Sequence, residues 1–230
     1  ANNHSMDKGE NAILYSNSFW KTKNVITAGS YSSMEERNDI KVYEQNGIKY
    51  AFLAYTTSLN GNRLPNSYLV NMYSDEQVKE DIDKIKDKVD VIIVSMHWGE
   101  EYTNTPTNEE KEIAQYLSSL GVNIILGSHP HVVQPITQIN DTLVIYSLGN
   151  FISNQLSIGL NQGIGLIVGM NITVDENKKV TIDNLYKELI LAYAENSTNF
   201  KVIPFSKLND NLLNNYKSVE QEYMSIVNGG

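Results

Sequence analysis

The middle of the chain alternates capped amphipathic stretches with short continuous apolar runs, and few folds accommodate that rhythm. Ser74, followed three residues later by Gln77, has the form of a capping box. Val78, Ile82, Ile85 and Val89 then recur at helical spacing, which predicts a helix of about four turns. Next comes Asp90-Val91-Ile92-Ile93-Val94-Ser95-Met96, a run suited to a strand buried on both faces. Thr107 and Glu110 form a second capping box, Ile113, Ala114, Leu117 and Leu120 supply its buried stripe, and Gly121 stands where a left-handed terminating residue is wanted. Residues 122–126 and 143–146 are two further runs of the buried type. Strand, helix, strand in this order implies a parallel βαβ unit with a right-handed crossover. Ligands gather at the carboxyl ends of strands in such units.

The flanks add simpler elements. Ile13 and Leu14 lie in an expected short helix after Gly9, and Val25-Ile26-Thr27 reads as a short extended piece. Residues 40–45 and 48–55 flank Asn46-Gly47, a strong signal for an antiparallel hairpin because both residues tolerate positive φ. Residues 164–174 and 180–191 predict an antiparallel pair around Asp175-Glu176-Asn177, and the stretch from Gly159 to Gly165 is the expected mobile loop. Leu212, Tyr216, Val219, Tyr223 and Ile226 follow spacings of four and three, as in an amphipathic helix docked on the body. One domain is expected over residues 1–195, with residues 196–230 as a C-terminal extension packed on it.

Composition removes several classes of function. A formal charge of -9 repels a phosphate backbone, which argues against nucleic acid as a partner. It also opposes a polyanionic polymer unless a local cation or metal compensates. With no cysteine there are no disulfides, zinc–thiolate sites or thiol nucleophiles, leaving His, Asn, Asp and Glu as ligands. No run approaches the roughly 18 apolar residues of a membrane span. The opening Ala1-Asn2-Asn3-His4 has none of the build of a signal peptide and is already motif-like, so an upstream segment is expected.

All 4 histidines fall in three short segments: Asn2-Asn3-His4, Met96-His97-Trp98-Gly99-Glu100-Glu101 and Gly127-Ser128-His129-Pro130-His131. Two of these segments directly follow a predicted buried strand. Imidazole is the commonest neutral metal ligand, and a His pair separated by one residue can present both rings from one loop. A single histidine at a strand end is more often a hydrogen-bonded structural residue, but here none is placed elsewhere.

At these residues the chain resembles the bacterial poly-gamma-glutamate capsule synthesis family, CapA. The shared signatures are the Asn-Asn-His-Ser start, the run from His97 to Tyr102, His129-Pro130-His131 with Gln134-Pro135 behind it, and Tyr146-Ser147-Leu148-Gly149-Asn150-Phe151. They arrive in the family's order over residues 1–190, and four linked motifs discriminate better than one. The resemblance implies an α/β class fold, a layered α/β/β/α sandwich like that of the calcineurin-like metallophosphatases, incomplete at the N-terminus. It further implies that Asn3, His97 and His129 ligate one metal, that His131 ligates another, and that His4 protonates a leaving group. Two such cations polarise the scissile group and lower the pKa of a bridging water. The related enzymes carry aspartate motifs ahead of the Asn-His segment that have no counterpart here. At most one divalent metal (Mn, Fe or Zn) is therefore expected, in a chain expected to be inactive alone.

Other polar residues carry two readings each. Glu100 and Glu101 orient His97 or a substrate, or are simply solvated. Asn150 reaches into the cleft or shapes the Gly149 turn, and Trp98 reads as a packing anchor over the site ahead of a sugar-stacking platform. The resemblance implies a role in capsule polymer synthesis or export at the extracellular face of the cell membrane, with metal-dependent phosphoester hydrolysis in the complete domain. Two alternatives stand beside it: a non-enzymatic accessory factor that holds the polymer or synthase components, and an inactive relative. A strand edge left bare would favour homo-oligomers.

Overall fold

The computed structural model describes residues 1–195 and 198–230. Helices α1 (Gly9–Lys21) and α2 (Met34–Asn38) precede the hairpin of β1 (Tyr43–Gln45) and β2 (Ile48–Thr56). Then follow α3 (Asp75–Ile85), β3 (Val91–His97), α4 (Asn108–Ser119), β4 (Ile124–Ser128), β5 (Ile136–Ile139) and β6 (Thr142–Ile145). A short helix α5 (Leu160–Gly163) leads into β7 (Ile164–Val174), β8 (Val180–Glu195), β9 (Thr198–Pro204) and the final helix α6 (Tyr216–Val227). The strands form a six-stranded sheet, ordered β1-β2-β3-β4-β6-β5, and a three-stranded sheet, β7-β8-β9. The expected α/β class and layering hold.

β2, β3, β4 and β6 run parallel, while β1 and β5 close the two edges antiparallel. Alternate residues build the main core: Leu53 and Tyr55 from β2, Val94 and Met96 from β3, Ile125 from β4 and Val144 from β6. They meet Val78, Ile82 and Ile85 of α3 and Ile113, Ala114 and Leu117 of α4, so both crossover helices cover one face of the sheet. Each fully buried aliphatic side chain there is worth about 1.5–3 kcal/mol. The second sheet has its own core, in which Ile164, Leu166, Leu189 and Leu191 pack with Phe205 and with Tyr223 and Val227 of α6. The start of the extension expected at residue 196 lies outside the described residues.

Caps and turns explain where elements begin. The Thr107–Glu110 box closes in both directions on α4, and Gly121 takes φ +87° after it. On α3 only half of the box forms. Ser74 Oγ accepts from the Gln77 N–H, but the Gln77 amide turns toward Asp81. That helix is accordingly shorter than expected, and Val89 packs on the core from beyond its end. The Asn46-Gly47 turn has both residues at positive φ, as the hairpin requires.

Several expectations need correction. α6 starts at Tyr216 and leaves Leu212 outside, because Asn215 adopts φ +56° and cannot continue a helix backwards. Val25 and Ile26 are exposed and lie outside the strands. The outer edge of β2 beyond β1 is not bare. Thr56 donates to the Asn71 carbonyl and accepts from the Tyr73 N–H, while the Asn71 side chain donates to the Ala54 carbonyl.

Candidate functional site

β3 and β4 are in register at their carboxyl ends, where Thr56, His97 and Ser128 stand side by side. The chain leaves β3 through Trp98 and Gly99. Trp98 is fully buried, donates from Nε1 to the Tyr146 carbonyl at 2.9 Å and stacks on the Tyr146 ring. It packs as an anchor beneath the loop after β3. Gly99 has φ +81°, and a Cβ on it would lie 2.4 Å from the Glu110 carboxyl, so the loop after β3 rests directly on the cap of α4.

His97 Nε2 lies 2.8 Å from Asn3 Oδ1, and its Nδ1 lies 3.1 Å from Ser128 Oγ. The buried Asn3 amide is oriented by Nδ2, which donates to Asn60 Oδ1. One proton arrangement satisfies both contacts. With the proton on Nε2, the ring donates to Asn3 and accepts from Ser128. With it on Nδ1, the ring donates to Ser128, whose hydroxyl donates onward to the Met96 carbonyl at 3.2 Å, but the Nε2 lone pair then opposes that of the Asn3 oxygen at 2.8 Å unless a cation joins them. Burial, reinforced by neighbouring His129, pushes the His97 pKa down to about 3, so the ring is neutral at physiological pH.

The loop after β4 brings the next two imidazoles in. His129 and His131 both have positive φ, +101° and +60°, and Pro130 between them accepts the Tyr102 N–H at 2.8 Å. The His129 ring lies 4.7 Å from that of His97 and 6.2 Å from that of His131. His129 Nδ1 is buried without a hydrogen-bond partner. Burial pushes the His129 pKa down, with the Glu101 charge opposing it. His131 Nδ1 faces Asn150 Oδ1 at 2.9 Å, and Tyr102 stacks on its ring. His4 stands farther out and is exposed, its Nδ1 2.7 Å from Asp7 Oδ2. Its charge acts on both His97 and His129.

The residues singled out in the sequence thus converge: Asn3, His97, His129, His131 and Asn150 form one connected cluster, with exposed His4 nearby. Glu100 and Glu101 are both exposed, as in the solvated one of their two readings. Ser128 and Asn3 hold the His97 ring, Glu101 acts on His129 through its charge, and exposed Glu100 acts on Glu110 instead. Sequence reasoning missed Asp7, Asn60 and Ser128. For Asp7 a signal existed, since it follows His4 by three residues, the spacing of one helical turn.

A metal is testable against these atoms. An unpaired buried imidazole nitrogen demands a partner, and it lies beside His97, whose Nε2 adjoins the Asn3 oxygen. Two imidazoles and an amide oxygen form a donor set that suits Zn, Mn or Fe. Among the described residues no three His, Cys, Asp or Glu side chains form a metal-holding group, so such a site would draw on the Asn3 amide.

A mixed, mainly parallel α/β sheet with imidazoles gathered where its central strands end is consistent with a metallophosphatase-like α/β fold. The particular family is shown by comparison: residues 1–155 match the model of the bacterial capsule synthesis protein family PGA_cap, and the chain belongs to that family. It is similar to the PGA biosynthesis protein CapA of Bacillus subtilis (strain 168), with 33% identity over 67% of this chain and 42% of the relative. It is likewise similar to the capsule biosynthesis protein CapA of Bacillus anthracis, with 30% identity over 67% of this chain and 39% of the relative. The chain therefore spans about two fifths of the length of these relatives. No helix among the described residues is long and apolar enough to cross a membrane.

Proposed function

We propose that this chain serves capsule polymer biosynthesis at the cell envelope and that its histidine pocket holds a divalent cation for phosphoester hydrolysis. The relatives' names, both of capsule or PGA biosynthesis, support the biological half of this reading. The observation that carries the chemical half is the unpaired His129 Nδ1 beside His97 and the Asn3 amide oxygen.

In this reading Asn3, His97 and His129 hold the cation, and His131 stands ready for a second ligand. A cation there would act as a Lewis acid on a phosphoryl oxygen. For Nε2 to hold the cation the His97 proton must sit on Nδ1, where Ser128 Oγ can accept it. Asp7 accepts from His4 Nδ1–H and turns His4 Nε2 outward, where a protonated ring can donate to a departing oxygen. Buried Trp98 and Glu110 fix the loop that carries these groups.

The test is calorimetric titration of Mn2+ and Zn2+ into the wild-type chain and into His97→Ala and His129→Ala, with phosphodiester cleavage measured in the full natural protein. Stoichiometric binding that both variants lose, together with cation-dependent turnover, is expected. Cleavage that proceeds unchanged in the two variants would reject the hydrolytic reading.

One observation favours a second reading, an accessory factor that binds polymer or synthase without turnover. Among the described residues no carboxylate hydrogen-bonds His97, His129 or His131, leaving no candidate to bridge two cations. Binding of gamma-linked glutamate oligomers without any hydrolysis would select it.

A further inference from the structure

Asn150 follows Gly149, which turns the chain at φ +65° after β6. Its backbone is pinned on the other side: a Cβ on Gly165 would lie 2.1 Å from the Asn150 carbonyl oxygen, so only glycine lets β7 approach so closely. The flanking Leu148 carbonyl accepts the Leu166 N–H at 2.8 Å. The Asn150 side chain therefore leaves a fixed platform.

Its amide has one workable orientation. Nδ2 donates to the His131 carbonyl at 3.2 Å, to the Gln162 carbonyl at 2.9 Å and to Gln155 Oε1 at 2.9 Å. Backbone carbonyls only accept, so turning the amide over would set its oxygen against two of them and cost those bonds. Oδ1 must then face His131 Nδ1, and the 2.9 Å contact requires a proton on that nitrogen. An unconstrained neutral histidine favours the other tautomer, with the proton on Nε2. Tyr102, stacked on the ring at 6.0 Å between centroids, holds the plane in which this bond is made.

We infer that Asn150 is a positioning residue that locks neutral His131 in the Nδ1–H form, so that Nε2 presents an unprotonated lone pair to the pocket. His97 is held the opposite way: the Asn3 oxygen facing its Nε2 requires the proton there, and the Ser128 hydroxyl can donate to the Nδ1 left bare. The residue type matters: an amide joins an acceptor for the ring to donors for the loop carbonyls, which no hydroxyl or alkyl side chain does at this reach. This role concerns the pocket of the proposed function, yet it is read in the absence of any metal.

The experiment is long-range 1H–15N correlation of the imidazoles at alkaline pH, where neutral rings report their tautomer, on the metal-free wild-type chain with His131→Gln used to assign the signal. A predominant Nδ1–H form for His131 is expected, and a predominant Nε2–H form overturns the proposal without any further variant. Asn150→Ala is expected to release His131 to the Nε2–H form. Gln155→Ala, which removes only a loop acceptor, should leave the Nδ1–H form unchanged. A folded Asn150→Ala chain with the native tautomer overturns the proposal. Zn2+ that perturbs no imidazole, while His131 keeps the Nδ1–H form, would count against the metal reading and leave the role of Asn150 supported.

Discussion

The guanidinium of Arg37 meets the carboxylate of Asp81 side on, through two bonds of 2.7 and 2.6 Å, with both side chains buried. The Tyr55 hydroxyl donates to the same carboxylate at 2.7 Å, so α2, α3 and β2 are tied at one point. Removing one partner strands a buried charge, whereas removing both need not. Arg37→Ala should cost about 3–5 kcal/mol in urea unfolding. An Arg37→Met, Asp81→Leu double variant should lose clearly less. Equal losses in the two would show that the cost is packing and not charge.

Gly127 faces the Tyr146 carbonyl so closely that a Cβ would lie 1.8 Å from its oxygen. The same oxygen accepts from the Trp98 indole. Gly127→Ala must therefore push β4 from the Tyr146 strand end and break that bond, an overpacking cost of about 1–3 kcal/mol or more. Trp98 is buried and Trp20 half-exposed, so a red shift of the buried component of tryptophan emission should accompany the lower midpoint. Unaltered emission at wild-type stability would refute the steric account.

Burial pushes the Glu110 pKa up, against the Thr107 N–H and hydroxyl bonds that pull it down. The folded state thus holds this proton more tightly than the unfolded chain. The resulting stabilisation is fully present below the unfolded carboxyl value of about 4.5 and is lost as pH rises through the folded one. Asp83 behaves oppositely: bonds from Lys79 and Lys86 lower it to about 2, so its contribution is lost as pH falls through that value. The wild-type stability minus that of Glu110→Gln should therefore decline as pH rises above about 4.5. A difference that grows with pH would reverse the assignment.

His4 and Asp7 form the exposed pair at the pocket rim. In the proposed hydrolytic function His4 is the general acid, a role worth about 10²–10⁴-fold, so His4→Ala should lower phosphodiester turnover of the full natural protein within that range. Asp7→Asn should lose part of the same factor, because it releases the ring but leaves it present. Neither change should alter Mn2+ affinity, since neither residue belongs to the inner donor set. A parallel loss of affinity would place His4 on the metal instead.

The legible part of the fold was the part where local and global signals agree. The α4 capping box, the buried runs of β3, β4 and β6, and the Asn46-Gly47 turn each follow from chemistry within a few residues. β5 escaped notice although Ile136 and Ile139 precede the Asn140-Asp141 turn, because a four-residue edge strand carries little periodicity. In the site, the histidines announced themselves by clustering. Ser128 and Asn60 did not, because small polar side chains acquire meaning only from neighbours brought together by the sheet, and nothing local marks them.

Three non-glycine residues around the pocket, Tyr102, His129 and His131, have left-handed backbones held by the surrounding packing. Such conformations cost of order 1–3 kcal/mol each and persist only where neighbours over-determine them. The recess is consequently shaped before anything enters it. A guest would meet rings already aimed, and association should proceed with little ordering of the chain, visible as an entropy change close to that of desolvation alone.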